Sequence, residues 1–202
     1  AAAGYGGLML FSFAAAHFVF APVMGNLADR FGRRPILLIS LLALGIDYLI
    51  MAFAPSLFWL FLGRIFAGMF GATFATANAY VTDVSPPEKR AQNFGLTGAA
   101  WGLGFIIGPV IGGFLGEIGP RIPFFAAAGI AFINVAYGFL VLPETLKDKD
   151  RRTFEWKRAN PIGALAHFRA YPVLLGLAGA TILFQLAHDA NPAVFTYFAI
   201  HQ

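Results

Sequence analysis

The 202-residue chain is 58% hydrophobic and only 12% charged, with a mean hydropathy of +0.70, a balance outside the range of soluble domains. It holds no cysteine, which excludes disulfides and thiolate metal sites. A formal charge of +4 raises the question of nucleic acid, but the basic residues fall between apolar stretches, where they orient a membrane protein, and no nucleic-acid partner is expected.

The opening AAAGYGG has no initiator Met, basic region or cleavage site, so the apolar start does not read as a signal peptide and the chain is expected to be an internal piece of a longer protein. Six stretches approach the roughly 20 apolar residues that cross a bilayer. They are Gly4–Met24, Ile36–Phe53, Leu57–Val81, Gln92–Leu115, Phe124–Leu142 and Pro172 to about Asn191. A backbone in lipid must satisfy its own hydrogen bonds, so each is expected to be a helix. The ten-residue alternation of a membrane barrel does not appear. The expected fold class is all-α and polytopic.

Lysine and arginine number three in residues 25–35, none in 54–56, two in 82–91, one in 116–123 and seven in 143–171. The odd connectors hold nearly all of them, so the positive-inside rule makes those cytoplasmic and puts residue 1 outside. The long connector 143–171 mixes both signs and reads as a solvated linker. Within it NPIGALAHFR, with Asn160 as a cap and Ile162, Leu165 and Phe168 spaced three apart, suits either an interfacial helix or plain linker.

Taken along the chain, the first motif is GNLADRFGRRP at 25–35. Gly25 and Gly32 are expected to allow a tight turn. Asp29 is placed to accept hydrogen bonds from Arg33 or from a helix N-terminus, while Arg30, Arg33 and Arg34 stay at the headgroups. Orientation alone accounts for the arginines, but not for Asp29 or the glycine spacing. Next come two ionisable residues inside spans, Asp47 and Arg64, each costing about 2.5–3.5 kcal/mol at mid-membrane. At 1.5 Å per residue both lie about 10 Å below the same surface, so they either pair structurally or both face a watery cavity. Ser40 shares the face of Asp47. His17, alone on an apolar helix, reads as a packed or cavity histidine.

YVTDVSPPEKRAQNFG follows, with Asp83, Glu88 and Arg90 around two prolines, and a solvated turn explains it equally well. GFIIGPVIGG places Gly104, Gly108 and Gly112 four apart, with Pro109 and Gly113 beside them. That spacing makes a smooth stripe for helix packing, and the proline frees a carbonyl. In the last span Thr181, Gln185 and Asp189 lie four apart with His188 adjacent, either lining a path or, for Asp189, sitting in water at the outer mouth. No G-x-S-x-G, H-E-x-x-H or Lys-Ser/Thr phosphate loop occurs, so neither an enzyme nor an ATP-driven pump is expected.

G-x-x-x-D-R-x-G-R-R at 25–34 resembles the signature between helices 2 and 3 of the major facilitator superfamily. The match implies that these spans correspond to helices 2 to 7 of twelve, with 1–142 in the first half, 143–171 the cytoplasmic central loop and 172–202 the first helix of the second half. In that family the 25–34 loop latches the cytoplasmic side. Gly104, Gly108, Pro109, Gly112 and Gly113 are similar to the family's antiporter motif. Arg64 with Gly68, Gly71 and Ala72 resembles its helix 4 motif, except that Ala67 stands where glutamine is frequent. Asp47, the loop with Asp83 and Arg90, GEIGPRIPFF and PET at 143–145 are similar to the tetracycline exporters. The resemblance implies proton-coupled efflux by a monomeric bacterial inner-membrane protein, with Asp47, Arg64, Gln185 and Asp189 on the proton or substrate path. No cofactor is implied; magnesium would enter only within the drug chelate. Another multidrug exporter, a sugar transporter and a non-transporting membrane scaffold stand as alternatives.

Overall fold

The computed structural model describes residues 2–71, 73–156, 159–160 and 176–184. Its elements are α1 (Ala2–Phe31), α2 (Arg33–Phe53), α3 (Leu57–Phe70), α4 (Thr73–Val84), α5 (Arg90–Ile118) and α6 (Ile122–Val141), with single 3-10 turns at Pro87–Lys89 and Asp148–Asp150. Residues 176–184 are also helical. Five segments are long and apolar enough to span a membrane: Gly4–Phe31, Arg33–Phe53, Leu57–Val84, Pro87–Ile118 and Ile122–Val141. The sixth expected span is represented only by 176–184, and the interfacial helix at 160–168 lies almost wholly outside the described residues.

Two boundaries correct the sequence expectation. The first helix does not end at Met24 but continues through Phe31, so most of GNLADRF is helical and Gly25 is no turn glycine. No proline follows Pro22 before Phe31, and the polar side chains of this last stretch find partners beyond the helix, Asn26 on the Glu155 carbonyl and Asp29 on Arg33. The chain reverses at Gly32, whose φ of 112° lies in the left-handed region that glycine adopts without strain. The second lies inside the third span: α3 ends at Phe70, with the Gly71 N–H bonded back to the Gly68 carbonyl at 3.2 Å, and α4 starts at Thr73.

α2 is the centre of the packing, set against α6 on one side and α3 and α4 on the other, while α1 lies along α3. The arrangement inverts a soluble core. Large side chains such as Phe11, Phe58, Ile133 and Leu140 face outward, and the most deeply buried positions are small or polar: Ala28, Ala52, Ala128, Ser40, Asp47. Lipid solvates the outer side chains as well as a core would, so helices associate through close backbone approach. At Gly68 an added Cβ would lie 2.5 Å from the Phe13 carbonyl and 2.7 Å from Ala16 Cβ. Gly68 and Gly71 of the helix 4 motif thus serve the α1–α3 contact.

The stripe on α5 behaves differently. The helix runs unbroken through Pro109 and buries none of its residues. Gly104, Gly108, Gly112 and Gly113 have nothing within 4 Å of their Cβ positions. The described helices therefore do not use this stripe as a seam.

Gly68→Ala should lower the unfolding midpoint in detergent by the equivalent of about 1–3 kcal/mol, the usual cost of overpacking. Gly25→Ala should leave it unchanged or raise it slightly, since the site is helical and open. Equal midpoints for the two variants would contradict the close α1–α3 contact.

Candidate functional site

At the end of the bundle near Gly32, a glycine N-cap leaves the first N–H groups of α2 without a side-chain acceptor of their own. Glu144, just past α6, fills that role. Its carboxylate accepts from the N–H of Arg33 at 2.9 Å and of Arg34 at 3.3 Å, and also from its own strand at Thr145 and Leu146, both at 3.0 Å. A negative charge on a helix N-terminus is favourable both as a hydrogen-bond acceptor and against the helix dipole. A Cβ at residue 32 would collide with this carboxylate, a second reason for glycine there.

The charged residues of the turn then link four helices. Arg33 Nη1 lies 2.6 Å from Asp29 Oδ1 across the reversal at Gly32, and its Nε lies 3.5 Å from Asp83 Oδ2 at the end of α4. Thr145 Oγ1 donates to the same Asp83 oxygen at 3.3 Å. Arg34 donates to the Phe139 carbonyl on α6 and stacks over the Phe139 ring at 5.3 Å. Tyr80 Oη donates to the Pro143 carbonyl at 3.0 Å. The strand beyond continues the clasp, with Arg152 N donating to Asp29 O at 3.0 Å and Asn26 Nδ2 to Glu155 O at 2.9 Å. Asp29 and Arg33 thus pair as the sequence suggested, and the structure adds Asp83 and Arg34 to the same cluster. Arg30 instead stacks over Phe31 at 5.0 Å, and Glu88 and Arg90 make no ion pair among the described residues.

Deeper in the bundle Asp47 on α2 is fully buried and bonded to Arg64 Nη2 on α3. The same Arg64 nitrogen lies 2.8 Å from Met51 Sδ. Asp47 Oδ1 has no hydrogen-bond partner and faces Gly63, where an added Cβ would stand 2.8 Å away. Both sequence alternatives hold together, because the pair also lines a cavity of about 550 Å³. The polar lining comes from Ser40, Asp47, Arg64, Thr73, Asn78 and Thr97; the aromatic wall comes from Phe13, Tyr48, Phe70, Phe74 and Trp101. Phe74 and Trp101 meet edge to face at 5.7 Å. Ser40, fully buried, leaves its hydroxyl unpartnered. An aromatic wall, one ion pair and a few spare polar atoms suit a flat cargo of mixed polarity.

His17 stacks on Phe13 at 5.8 Å and its buried Nδ1 has no partner, in agreement with a packed histidine. Thr181 is exposed and bonds back to Leu177 O at 2.8 Å. Gln185, His188 and Asp189 lie outside the described residues. Sequence reasoning missed the role of Glu144. The available signal was the bare glycine cap, whose orphan N–H groups demand an acceptor from elsewhere.

Long apolar helices around a partly polar cavity, with a charged clasp at one end, define a multi-pass α-helical membrane protein. Residues 1–202 match the Major Facilitator Superfamily, and the chain belongs to that family of transporters, not to a class of enzymes. It is 41% identical to the tetracycline resistance protein, class C, of Escherichia coli over 97% of this chain and 49% of that protein. Against multidrug resistance protein 1 of Bacillus subtilis it is 31% identical over 91% of this chain and 49% of that protein. The solved human organic anion transporter MFSD10 superposes with a TM-score of 0.66 at 29% identity, covering 72% of this chain and 34% of that one. The chain spans about half the length of the curated relatives it matches.

Glu144→Ala should destabilise the protein by about 1–2 kcal/mol, the cost of losing a cap, while Glu144→Gln keeps most of the stability. Arg64→Gln should cost up to about 3 kcal/mol by stranding a buried carboxylate, the low end for a buried pair because Arg64 is partly exposed. Adding Asp47→Asn should recover part of that loss. Thermal unfolding of all four variants in one detergent checks both.

Proposed function

We propose that the chain supplies helices 2 to 7 of a twelve-helix bacterial exporter of the inner membrane, which moves tetracycline outward in exchange for protons. The observation that carries the reading is the buried Asp47–Arg64 pair on the wall of the aromatic cavity, in a chain 41% identical to a tetracycline resistance protein. Asp47 is a carboxylate that a proton can neutralise; Arg64 is a cation that stays charged. Protonation weakens their attraction and frees the guanidinium, so occupancy of the cavity by drug and by proton become linked.

In this reading the Asp29–Arg33–Asp83 clasp, with Glu144 on the end of α2, holds the cytoplasmic side closed, and its opening accompanies the swing between two accessible states. The bare glycine stripe of α5, with Pro109, is the face offered to the second half. The cargo is the drug with a divalent cation, the metal belonging to the substrate. Protons, the drug and membrane lipid are the partners, and the protein acts as a monomer.

In everted vesicles with an imposed pH gradient, adding tetracycline to the twelve-helix protein should release protons. Asp47→Asn should abolish that release while the protein still inserts. Proton release by other drugs but not tetracycline would move the cargo to the multidrug class; no drug-dependent release from verified folded protein would remove exchange altogether.

A further inference from the structure

At the end of the bundle opposite Gly32, α2 and the start of α3 enclose an open groove of about 360 Å³. Its lining, including Ile46, Leu49, Phe53, Pro55 and Trp59, is almost wholly apolar. From Ile46 to Phe53 it follows α2 for about 10 Å, the direction of a lipid tail. One cation stands at its mouth: Arg121, in the turn between α5 and α6, donates from Nη2 to the carbonyl of Ala54, a groove residue, at 3.3 Å. Arg33, Arg64 and Arg151 each face a carboxylate, but Arg121 has no acidic partner among the described residues and makes no ion pair with Glu117 one turn earlier. A guanidinium has five N–H groups, and the Ala54 bond uses one. Trp59, exposed beside Arg121's anchor, brings an indole of the kind that concentrates at headgroup depth.

We propose that this groove is a binding site for an anionic phospholipid. One acyl chain lies along Ile46, Leu49 and Phe53, and the headgroup phosphate meets Arg121. Charge complementarity selects the occupant, because an apolar trough ending in an unpaired guanidinium matches a molecule with a long apolar tail and a phosphate head. The inference is independent of transport and of which compartment this end faces.

The full-length protein, purified in mild detergent, is titrated with phosphatidylglycerol and phosphatidylcholine of identical acyl chains, and bound lipid is read by native mass spectrometry. Phosphatidylglycerol should bind about five-fold more tightly, the worth of one basic residue at a membrane surface. Arg121→Gln keeps a donor for the Ala54 carbonyl but removes the charge, and should abolish the preference; Arg121→Lys should keep most of it. Ala54→Phe, which fills the groove, should weaken both lipids together. The proposal is overturned if the unaltered protein shows no preference or if Arg121→Gln retains it. It also fails if glycerol 3-phosphate competes as well as the whole lipid, since the site would then hold a free phosphate. Should Arg121→Gln fail to fold, loss of the preference in folded Arg121→Lys likewise counts against it.

Discussion

Glu144 closes a gap that Gly32 opens. A chain that must reverse between two spanning helices needs a residue able to take φ of 112°, and glycine provides it. The same glycine cannot cap the helix it starts. In the headgroup region two orphan N–H groups are a real cost, and a carboxylate from beyond α6 meets them. That one contact brings the end of α6 onto the start of α2. With Tyr80 and Thr145 it also sets the end of α4 within reach of Arg33. The charged clasp is therefore a product of helix capping as much as of charge pairing.

The membrane-embedded pair follows the same economy of unmet polar groups. Asp47 is tolerated in the bundle because Arg64 reaches it, and it fits because residue 63 has no side chain. Its second oxygen stays without a partner, as does the buried hydroxyl of Ser40, another residue of the cavity lining. Such atoms cost stability, and a binding surface is the usual place where that cost is kept.

The sequence was most informative where lipid physics leaves few options. Helical spans, their approximate limits and the equal depth of Asp47 and Arg64 followed from apolar run length and helical rise alone. Boundaries were harder. Hydropathy marks where lipid contact ends, not where the helix ends, so it stops at Met24 although the polar residues beyond continue α1 to Phe31. The break at Gly71 lay hidden inside an apolar run. The role of Glu144 was hard to read for another reason: the bare cap at Gly32 signals a missing acceptor, but the partners stand 110 and 111 positions apart, and no local pattern says which residue supplies it. The α5 stripe was legible as a surface, but what it meets is not written in its own spacing.

The segment leaving α6 is fastened at its root. Glu144 pins it to α2, and Arg152 and Glu155 pin it to α1 within the next dozen residues. A tether with slack at its root would absorb traction from whatever lies downstream. Fastened in this way, residues 144–155 cannot shift without disturbing the ends of α1 and α2 that meet at Gly32.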